Sequence, residues 1–202
     1  MRPEDIFSGP FGSTPLTDEE KEGLIPRALT MRSELNEAEQ ENILKANIWL
    51  DRSNMSVEQL LTAKMMKTIH GRMFSQVWRW ARQFRQTDKN IGIAWWDIPT
   101  QLDSLLADTF AQLIDTTASR RSNDEIAARF HHRLVQIHLF ANGNGRHARL
   151  VTDKLLRIVG EEEFTWGSLS NDEVGTVRRN YIQALIDADN HDFTGLLRFV
   201  RS

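Results

Sequence analysis

Apolar side chains recur every three or four residues through most of this 202-residue chain. This spacing is typical of helices that bury one face. It predicts helices over residues 34–50, 57–74, 100–116 and 146–159, and one or two more over 171–200.

A further helix is predicted to begin at Ser122, because Glu125 three residues later completes a capping-box pattern. Its apolar face carries Ile126, Phe130, Leu134 and Ile137. The helix is expected to end at the Asn-Gly-Asn-Gly run that follows.

Two segments lack the helical spacing. Residues 1–26 are rich in Gly, Pro, Ser and Thr and form an N-terminal arm that lies on the domain or hangs free. Residues 84–99 contain turn residues, and Ile91 and Ile93 alternate, so a small hairpin or an extended flap is expected there. The fold class is therefore predicted to be all-α, a helical domain over 27–202 with one small β-hairpin flap.

Composition narrows the possible functions. The chain is 40% hydrophobic and 26% charged, with a net charge of -3 and a pI near 6.1. No basic footprint for nucleic acid appears at the level of the whole chain, so direct nucleic-acid binding is not expected. The chain has no cysteine, which excludes disulfides and thiolate catalysis and fits a reducing cytoplasm. No run of about eighteen apolar residues or secretory signal is visible, so we expect a cytoplasmic protein without a membrane partner.

The segment His138-Leu-Phe-Ala-Asn-Gly-Asn-Gly-Arg-His-Ala-Arg149 joins two predicted helices. The N–H groups and the dipole at the start of the second helix attract anions, phosphate above all. Gly143 and Gly145 allow a close approach or a positive φ. Arg146 and Arg149 lie on the first turn, where guanidinium groups suit phosphate.

His138 lies at the end of the preceding helix, where a neutral imidazole could take a proton from an incoming hydroxyl. Taken singly, each feature has an ordinary explanation: a turn, a capping histidine, a solvated pair of arginines. Their joint occurrence in twelve residues favours phosphoryl or nucleotidyl transfer, in which positioning and charge stabilisation supply most of the rate.

These residues resemble the signature of the Fic family, His-x-Phe-x-(Asp or Glu)-Gly-Asn-Gly-Arg-x-x-Arg. The segments around 124–138 and 179–185 are similar to the helices that precede and follow that signature. Thr14-Pro-Leu-Thr, Gly23-Leu-Ile-Pro, Glu34-Leu-Asn-Glu and Trp78-Arg-Trp-Ala resemble a subgroup called mobile mystery protein B. The resemblance implies a Fic-fold helical bundle that transfers AMP from ATP to a Ser, Thr or Tyr hydroxyl of a target protein. It also implies a DNA-binding companion protein.

The resemblance assigns a role to each matching residue. His138 would be the catalytic base, and Phe140 would anchor the loop. Arg146 would contact the β/γ end of the triphosphate and Arg149 the γ-phosphate. The anion hole would be formed by Gly143, Asn144 and Gly145. The flap that aligns the target segment by strand addition would comprise Asn90, Ile91, Gly92 and Ile93.

Asn142 departs from the signature, because an acidic residue usually binds Mg²⁺ at this position. An amide oxygen can ligate magnesium but carries no charge, so metal affinity should fall. Magnesium is expected with ATP, held largely by its phosphates. Asn142 is a weak metal ligand in this interpretation.

Many Fic proteins carry an inhibitory helix with the pattern (Ser or Thr)-x-x-x-Glu-(Gly or Asn). Thr30-Met-Arg-Ser-Glu34 matches its first part, and Leu35 departs from it. One hypothesis is that the helix at 30–50 is inhibitory and that Glu34 pairs with Arg149. The alternative is that Glu34 only stabilises the first turn through the helix dipole.

Other functions stay open at this point. The site could move a phosphate or another phosphate-containing group, or bind a nucleotide with little turnover, as Asn142 suggests. A helical DNA-binding regulator is less favoured, because of the acidic balance and the two arginines at the predicted phosphate site.

Overall fold

A computed structural model describes residues 6–7, 12–118, 120–170 and 172–202. These residues form nine α-helices and one 3₁₀ turn, at Trp95–Asp97. In chain order the helices are α1 Asp18–Glu22, α2 Arg32–Asp51, α3 Val57–Leu60, α4 Ala63–Phe74, α5 Ile98–Ile114, α6 Asn123–Ile137, α7 Asn144–Ile158, α8 Val174–Asp189 and α9 Thr194–Val200. No helix in the described part is long and apolar enough to cross a lipid bilayer.

The helix pair α6 and α7 forms the centre of the domain. The two helices pack against each other, α5 also packs on α6, and α2 packs on α4 and on α7. The main core includes Leu50, Met66, Phe74, Phe140 and Val151, all nearly inaccessible to solvent. A second, smaller core joins α8 and α9 to α6. Both cores hold the turn between α6 and α7 in place.

Side-chain caps mark several of the helix starts. The hydroxyl of Ser122 accepts from the N–H of Glu125 at 3.1 Å, as predicted. The Glu125 carboxylate, however, pairs with Arg121 and Arg129 and does not complete the capping box. α5 begins at Ile98, before the predicted residue 100, because Pro99 is tolerated in a first turn, where no N–H donor is required.

The predicted helix over 57–74 is two helices. Leu61 leaves the helical conformation at ψ 59°, and Thr62 then caps α4 by accepting from the N–H of Met65 at 3.1 Å. Threonine competes for backbone donors in this way, which favours a new helix start over continuation.

The predicted β-hairpin over residues 84–99 is not formed. Residues 84–94 form bends without strand pairing, and the chain then enters the 3₁₀ turn. Carbonyls that a partner strand would have paired are taken by a side chain, since Arg85 donates to the carbonyls of Thr87 and Ile93. The flap is therefore an extended loop that is held by the side chain of Arg85.

The described part of the N-terminal arm, residues 6–7 and 12–26, lies on the domain; residues 1–5 and 8–11 of the predicted arm lie outside the described residues. Leu24 and Trp78 form an antiparallel bridge, and the N–H of Ile25 donates to the Val77 carbonyl at 2.8 Å. The indole N–H of Trp80 donates to the Glu20 carbonyl at 3.0 Å. The arm thus runs across the face that carries the flap.

Candidate active site

His138 ends α6 in a left-handed conformation, with φ 59° and ψ 65°. Histidine is among the non-glycine residues that tolerate this region, although it remains uncommon. The residue terminates the helix and turns the chain into the Asn-Gly-Asn-Gly run. Its side chain lies almost entirely in the protein interior, with 3% of its surface exposed.

Arg85 holds the backbone of this turn. Its guanidinium donates to the carbonyl of His138 at 2.6 Å and to that of Ile137 at 3.3 Å. The backbone N–H of Arg85 donates to the Leu139 carbonyl at 2.9 Å. The same guanidinium reaches the two flap carbonyls of Thr87 and Ile93. One buried cation therefore fixes the flap and the histidine turn relative to each other.

The His138 ring is neutral at neutral pH. Burial lowers its pKa to about 4, and the positive charge of Arg85 acts in the same direction. Nε2 lies 3.2 Å from the hydroxyl oxygen of Thr14. In the tautomer that carries its proton on Nδ1, Nε2 accepts from a hydroxyl at this position, which is what a general base requires.

The anion cradle predicted from the sequence corresponds to the start of α7. Gly143 caps the helix at φ 80°, and a Cβ there would lie 2.6 Å from the Phe74 ring, so both conformation and packing require glycine. At Gly145 a Cβ would meet only the Tyr181 hydroxyl, at 3.9 Å. The first N–H groups of a helix lack intrahelical partners and are available to a ligand on this open side.

Asn144 serves the loop with its side chain. It exchanges two hydrogen bonds with the main chain of Phe140, at 2.9 and 2.8 Å. Its amide group is thereby engaged in closing the turn. Its backbone N–H is the group that remains for the anion hole predicted from the sequence.

Three guanidinium groups gather beside the cradle. Arg146 lies over the Phe74 ring, and Arg149 lies over the Tyr181 ring at 4.4 Å from the ring centre. Burial lowers the pKa of Arg178, on α8, and the charges of Arg149 and Arg146 lower it further. Because the positive charges repel one another, the cluster favours an anion between them.

Arg146 pairs with an acidic residue, Glu39, which the sequence interpretation did not single out. Its carboxylate accepts from Arg146 at 2.6 Å and from the indole N–H of Trp78 at 2.7 Å. A signal was available, since Glu39 lies on the buried face of α2 between Leu35 and Ala46. A carboxylate in an apolar face needs a partner, because an unpaired buried charge is costly.

The pairing predicted between Glu34 and Arg149 is not made. The Glu34 carboxylate instead accepts from the N–H groups of Thr30 and Met31, at 2.8 and 3.0 Å. These bonds cap α2 and lower the pKa of Glu34. The first turn of a helix offers free N–H donors to such a carboxylate, and this local alternative prevails.

Asn142 is committed to hydrogen bonds. Its Oδ1 accepts from the N–H of Gly143 at 2.7 Å, and its Nδ2 donates to the Thr14 carbonyl at 3.1 Å. Nowhere in the described ranges do three His, Asp or Glu side chains converge on one point. A neutral amide with an occupied oxygen does not fit the role of a resident magnesium ligand.

His70 supports the turn from α4. Its Nδ1 accepts from the N–H of Arg82 at 3.0 Å, so Nε2 carries the proton and donates to the Asn142 carbonyl at 3.1 Å. Its ring stacks on Phe140 with a centroid distance of 3.7 Å. The sequence carries no local sign of this role, because His70 is 72 residues from its acceptor.

The residues that the sequence predicts as a target-docking flap lie next to His138. A Cβ on Gly92 would come within 2.7 Å of the His138 Cβ, so the flap passes directly over the histidine. Asn90 and Ile91 are exposed, and Ile93 is half-buried. The flap is thus next to the candidate base without being a strand.

Comparisons with known proteins relate part of this chain to a known family. Residues 60–156 match the model of the Fic/DOC family. The crystal structure of BepC, a VirB-translocated effector of Bartonella tribocorum with bound AMPPNP, matches with a TM-score of 0.68 and 16% identity over 92% of this chain and 97% of that chain. The ADP-bound N-terminal Fic domain of a Bep effector from Bartonella quintana matches with a TM-score of 0.66 and 16% identity, covering 87% and 86% of the two chains.

A Fic-1 segment from C. elegans matches with a TM-score of 0.64 and 22% identity, over 90% of this chain and 51% of that one. No curated protein matches the sequence. At these identities the structural matches establish a shared fold.

Proposed function

The chain carries a domain of the Fic/DOC family, and from this premise we propose that it transfers AMP from ATP to a hydroxyl of a protein. One observation carries the proposal: the neutral, buried His138 holds a hydroxyl at 3.2 Å from its Nε2. The base and the predicted anion cradle lie within one turn of chain, and the hydroxyl of Thr14 reaches the base from the N-terminal arm. That is the set of groups that nucleotidyl transfer needs.

The proposed reaction is a single displacement. The hydroxyl oxygen attacks the α-phosphorus, a new O–P bond forms, and the bond between the α-phosphorus and the bridging oxygen breaks. Pyrophosphate leaves, and the hydroxyl proton passes to Nε2 of His138. Arg85 contributes by holding the histidine backbone, so that Nε2 stays at the attack position.

The phosphates would bind at the start of α7. The backbone N–H groups of Asn144 and Gly145 would face the anion, whereas that of Gly143 donates to Asn142. Arg146, Arg149 and Arg178 would neutralise its charge. Two of the matching structures hold AMPPNP and ADP, which supports a nucleotide as the ligand. The transferred group is part of the proposal.

Glu39 is proposed to restrain the enzyme. Its carboxylate competes with a phosphate for Arg146, and the two side chains are already paired at 2.6 Å. Nucleotide binding must therefore displace a partly buried ion pair. This assigns the inhibitory role to Glu39, on the same helix as the Glu34 of the sequence hypothesis.

The target segment would dock along the flap. Ile91 is 47% exposed and Trp96 is 61% exposed, and they flank the short stretch that passes over His138. Apolar side chains of the target beside its hydroxyl residue would cover them. This placement keeps the flap function of the sequence interpretation with a loop instead of a strand.

Transfer assays with labelled ATP test the proposed reaction. The protein is incubated with α-³²P-ATP or γ-³²P-ATP and a lysate as a source of targets. Wild-type protein is expected to transfer label from the α-position. His138→Asn should abolish transfer, because asparagine tolerates the left-handed backbone but cannot accept the proton.

The matched control is His191→Asn. His191 also has a positive φ, 67°, but is exposed and distant in sequence from the motif. It should transfer label like the wild type. Label from the γ-position would show phosphate transfer, and nucleotide binding without any His138-dependent label would show a binding module; either result would replace the proposal.

A further inference from the structure

The hydroxyl that contacts the candidate base belongs to the protein itself. Thr14, in the N-terminal arm, lies with Oγ1 at 3.2 Å from Nε2 of His138, 124 residues further along the chain. Only a few side chains carry an alcohol that can be phosphorylated or nucleotidylated, and threonine is one of them. The contact is therefore that of a base with a candidate acceptor.

Asn142 holds the same residue by its backbone. Its Nδ2 donates to the Thr14 carbonyl at 3.1 Å while its Oδ1 accepts from Gly143. A carboxylate could accept from Gly143 but would face the Thr14 carbonyl with a second acceptor and no proton. The amide at this position, which does not suit magnesium, suits the arm. Because Gly143 caps α7, these two hydrogen bonds of Asn142 place Thr14 beside the predicted anion cradle.

The chain after Thr14 is anchored as well. Pro15 follows and favours an extended conformation at Thr14, and Leu16 packs against the main core. Thr17 caps α1, and Glu20 of that helix pairs with the buried side chain of Lys89 in the flap. The position of Thr14 is thus fixed from both the motif and the flap.

We propose that Thr14 is a self-modification site, the intramolecular acceptor of the nucleotidyl group; this rests on the proposed function. Thr14 Oγ1 attacks the α-phosphorus of bound ATP and forms an O–P bond. The bond from that phosphorus to the bridging oxygen breaks and releases pyrophosphate. The hydroxyl proton moves to Nε2 of His138.

Thr17 offers a contrast within the same arm. Its Oγ1 accepts from the N–H of Glu20 at 3.3 Å and caps α1, so that its position is set by the helix and not by His138. Modification is therefore specific to Thr14. A phosphodiester on Thr14 would also add bulk and charge between His138 and Asn142. The modified arm would then leave the site, which would be open to other acceptors.

The experiment uses the full chain with α-³²P-ATP, followed by intact mass measurement and peptide mapping. Wild-type protein should gain one AMP per chain on the peptide that contains Thr14. Thr14→Val, which keeps the branched shape without the hydroxyl, should lose this label. Thr14→Ser should retain it. Thr100→Val, at an exposed threonine at the start of α5, is the control and should label like the wild type.

Protein concentration separates the intramolecular route from transfer between chains. The rate of labelling per chain should stay constant over a hundredfold dilution, whereas transfer between chains would slow in proportion. The same series in a Glu39→Gln background covers the case in which the restrained wild type is slow.

Two failures are distinguishable. If lysate proteins take His138-dependent label while Thr14 stays unmodified in both backgrounds, or if Thr14→Val labels as fully as the wild type, the self-modification proposal is wrong and the proposed function stands. If no protein takes α-label in a His138-dependent manner, the proposed function fails and the self-modification proposal fails with it.

Discussion

At the scale of single residues, two side chains decide how this site differs from the signature it resembles. Asn142 replaces an acid, and its amide serves as a donor to the arm. Glu39 supplies the acid instead, from α2, and directs it to Arg146. The site thus exchanges a carboxylate that would face a metal for one that faces an arginine.

Replacing Glu39 by glutamine should activate the protein. The amide oxygen of the new side chain can still accept from Trp78, so that the fold is retained, but the side chain no longer holds Arg146 by charge. The KM for ATP should fall by about tenfold, the equivalent of about 1.4 kcal/mol. The measurement is α-label transfer against ATP concentration.

Glu41→Gln is the matched control on the same helix, because Glu41 is exposed and pairs with Lys45 one turn further along α2. It should leave the KM unchanged. An unchanged KM in Glu39→Gln as well, with both variants folded, would remove Glu39 from the regulation of the site.

At the scale of elements, the turn between α6 and α7 depends on neighbours that are distant in sequence. The loop after α7 supports the arginine side of the cradle. The Trp166 indole N–H donates to both carboxylate oxygens of Asp153 at 3.0 Å, and the Trp166 ring packs on His131 and below Arg149. Asp153 thereby couples α7 to the loop that leads to α8.

Asp153 should make stability depend on pH. Burial raises its pKa to about 7 from the ordinary value of 3.8, so the folded state binds a proton that the unfolded state has released. The stability from this proton is fully present below the ordinary pKa of 3.8 and is lost as pH rises through about 7. The Tm of the wild type should therefore fall more between about pH 5 and pH 8 than the Tm of Asp153→Asn.

Asparagine at 153 keeps an acceptor for Trp166 and does not titrate, so the comparison isolates the proton. Asp103→Asn, at an exposed position on α5, controls for the loss of a charge and should follow the wild type. If the Tm of wild type and the Tm of Asp153→Asn changed equally with pH, the assignment would be wrong.

At the scale of the whole molecule, the arm, the flap and the motif form one layered face. The arm crosses the flap through Glu20 and Lys89 and reaches the histidine through Thr14. A residue near the start of the chain thus meets one 124 positions away. We therefore expect access to the candidate base to depend on how firmly the arm is docked.

Gly23→Ala should loosen the arm. A Cβ at Gly23 would lie 2.7 Å from Cδ1 of Trp80 and 2.9 Å from the Glu20 carbonyl, so the arm must shift. Such overpacking costs about 1–3 kcal/mol, and here it weakens docking of the arm while the core is left intact. Hydrogen exchange of residues 14–25 should speed up, and self-labelling of Thr14 should slow relative to labelling of added targets.

Gly175→Ala is the control for the added methyl group, because a Cβ there would meet only the Arg179 side chain at 3.6 Å. Exchange in the arm should not change in this variant. Unchanged exchange in Gly23→Ala would show that Trp80 moves aside and that the arm stays docked.

Side-chain spacing was enough to predict the helical fold, the helix start at Ser122 and the segment that carries the candidate base and the predicted cradle. These features depend on spacing within a few residues, where side-chain periodicity and turn chemistry act directly. Packing between distant segments set three features that spacing could not predict: Glu39 instead of Glu34 as the acid beside an arginine, Arg146; Arg85 under the flap in place of a hairpin; and Thr14 against His138. Each of these joins residues far apart in the chain, and burial chose among partners that are equally available in the sequence.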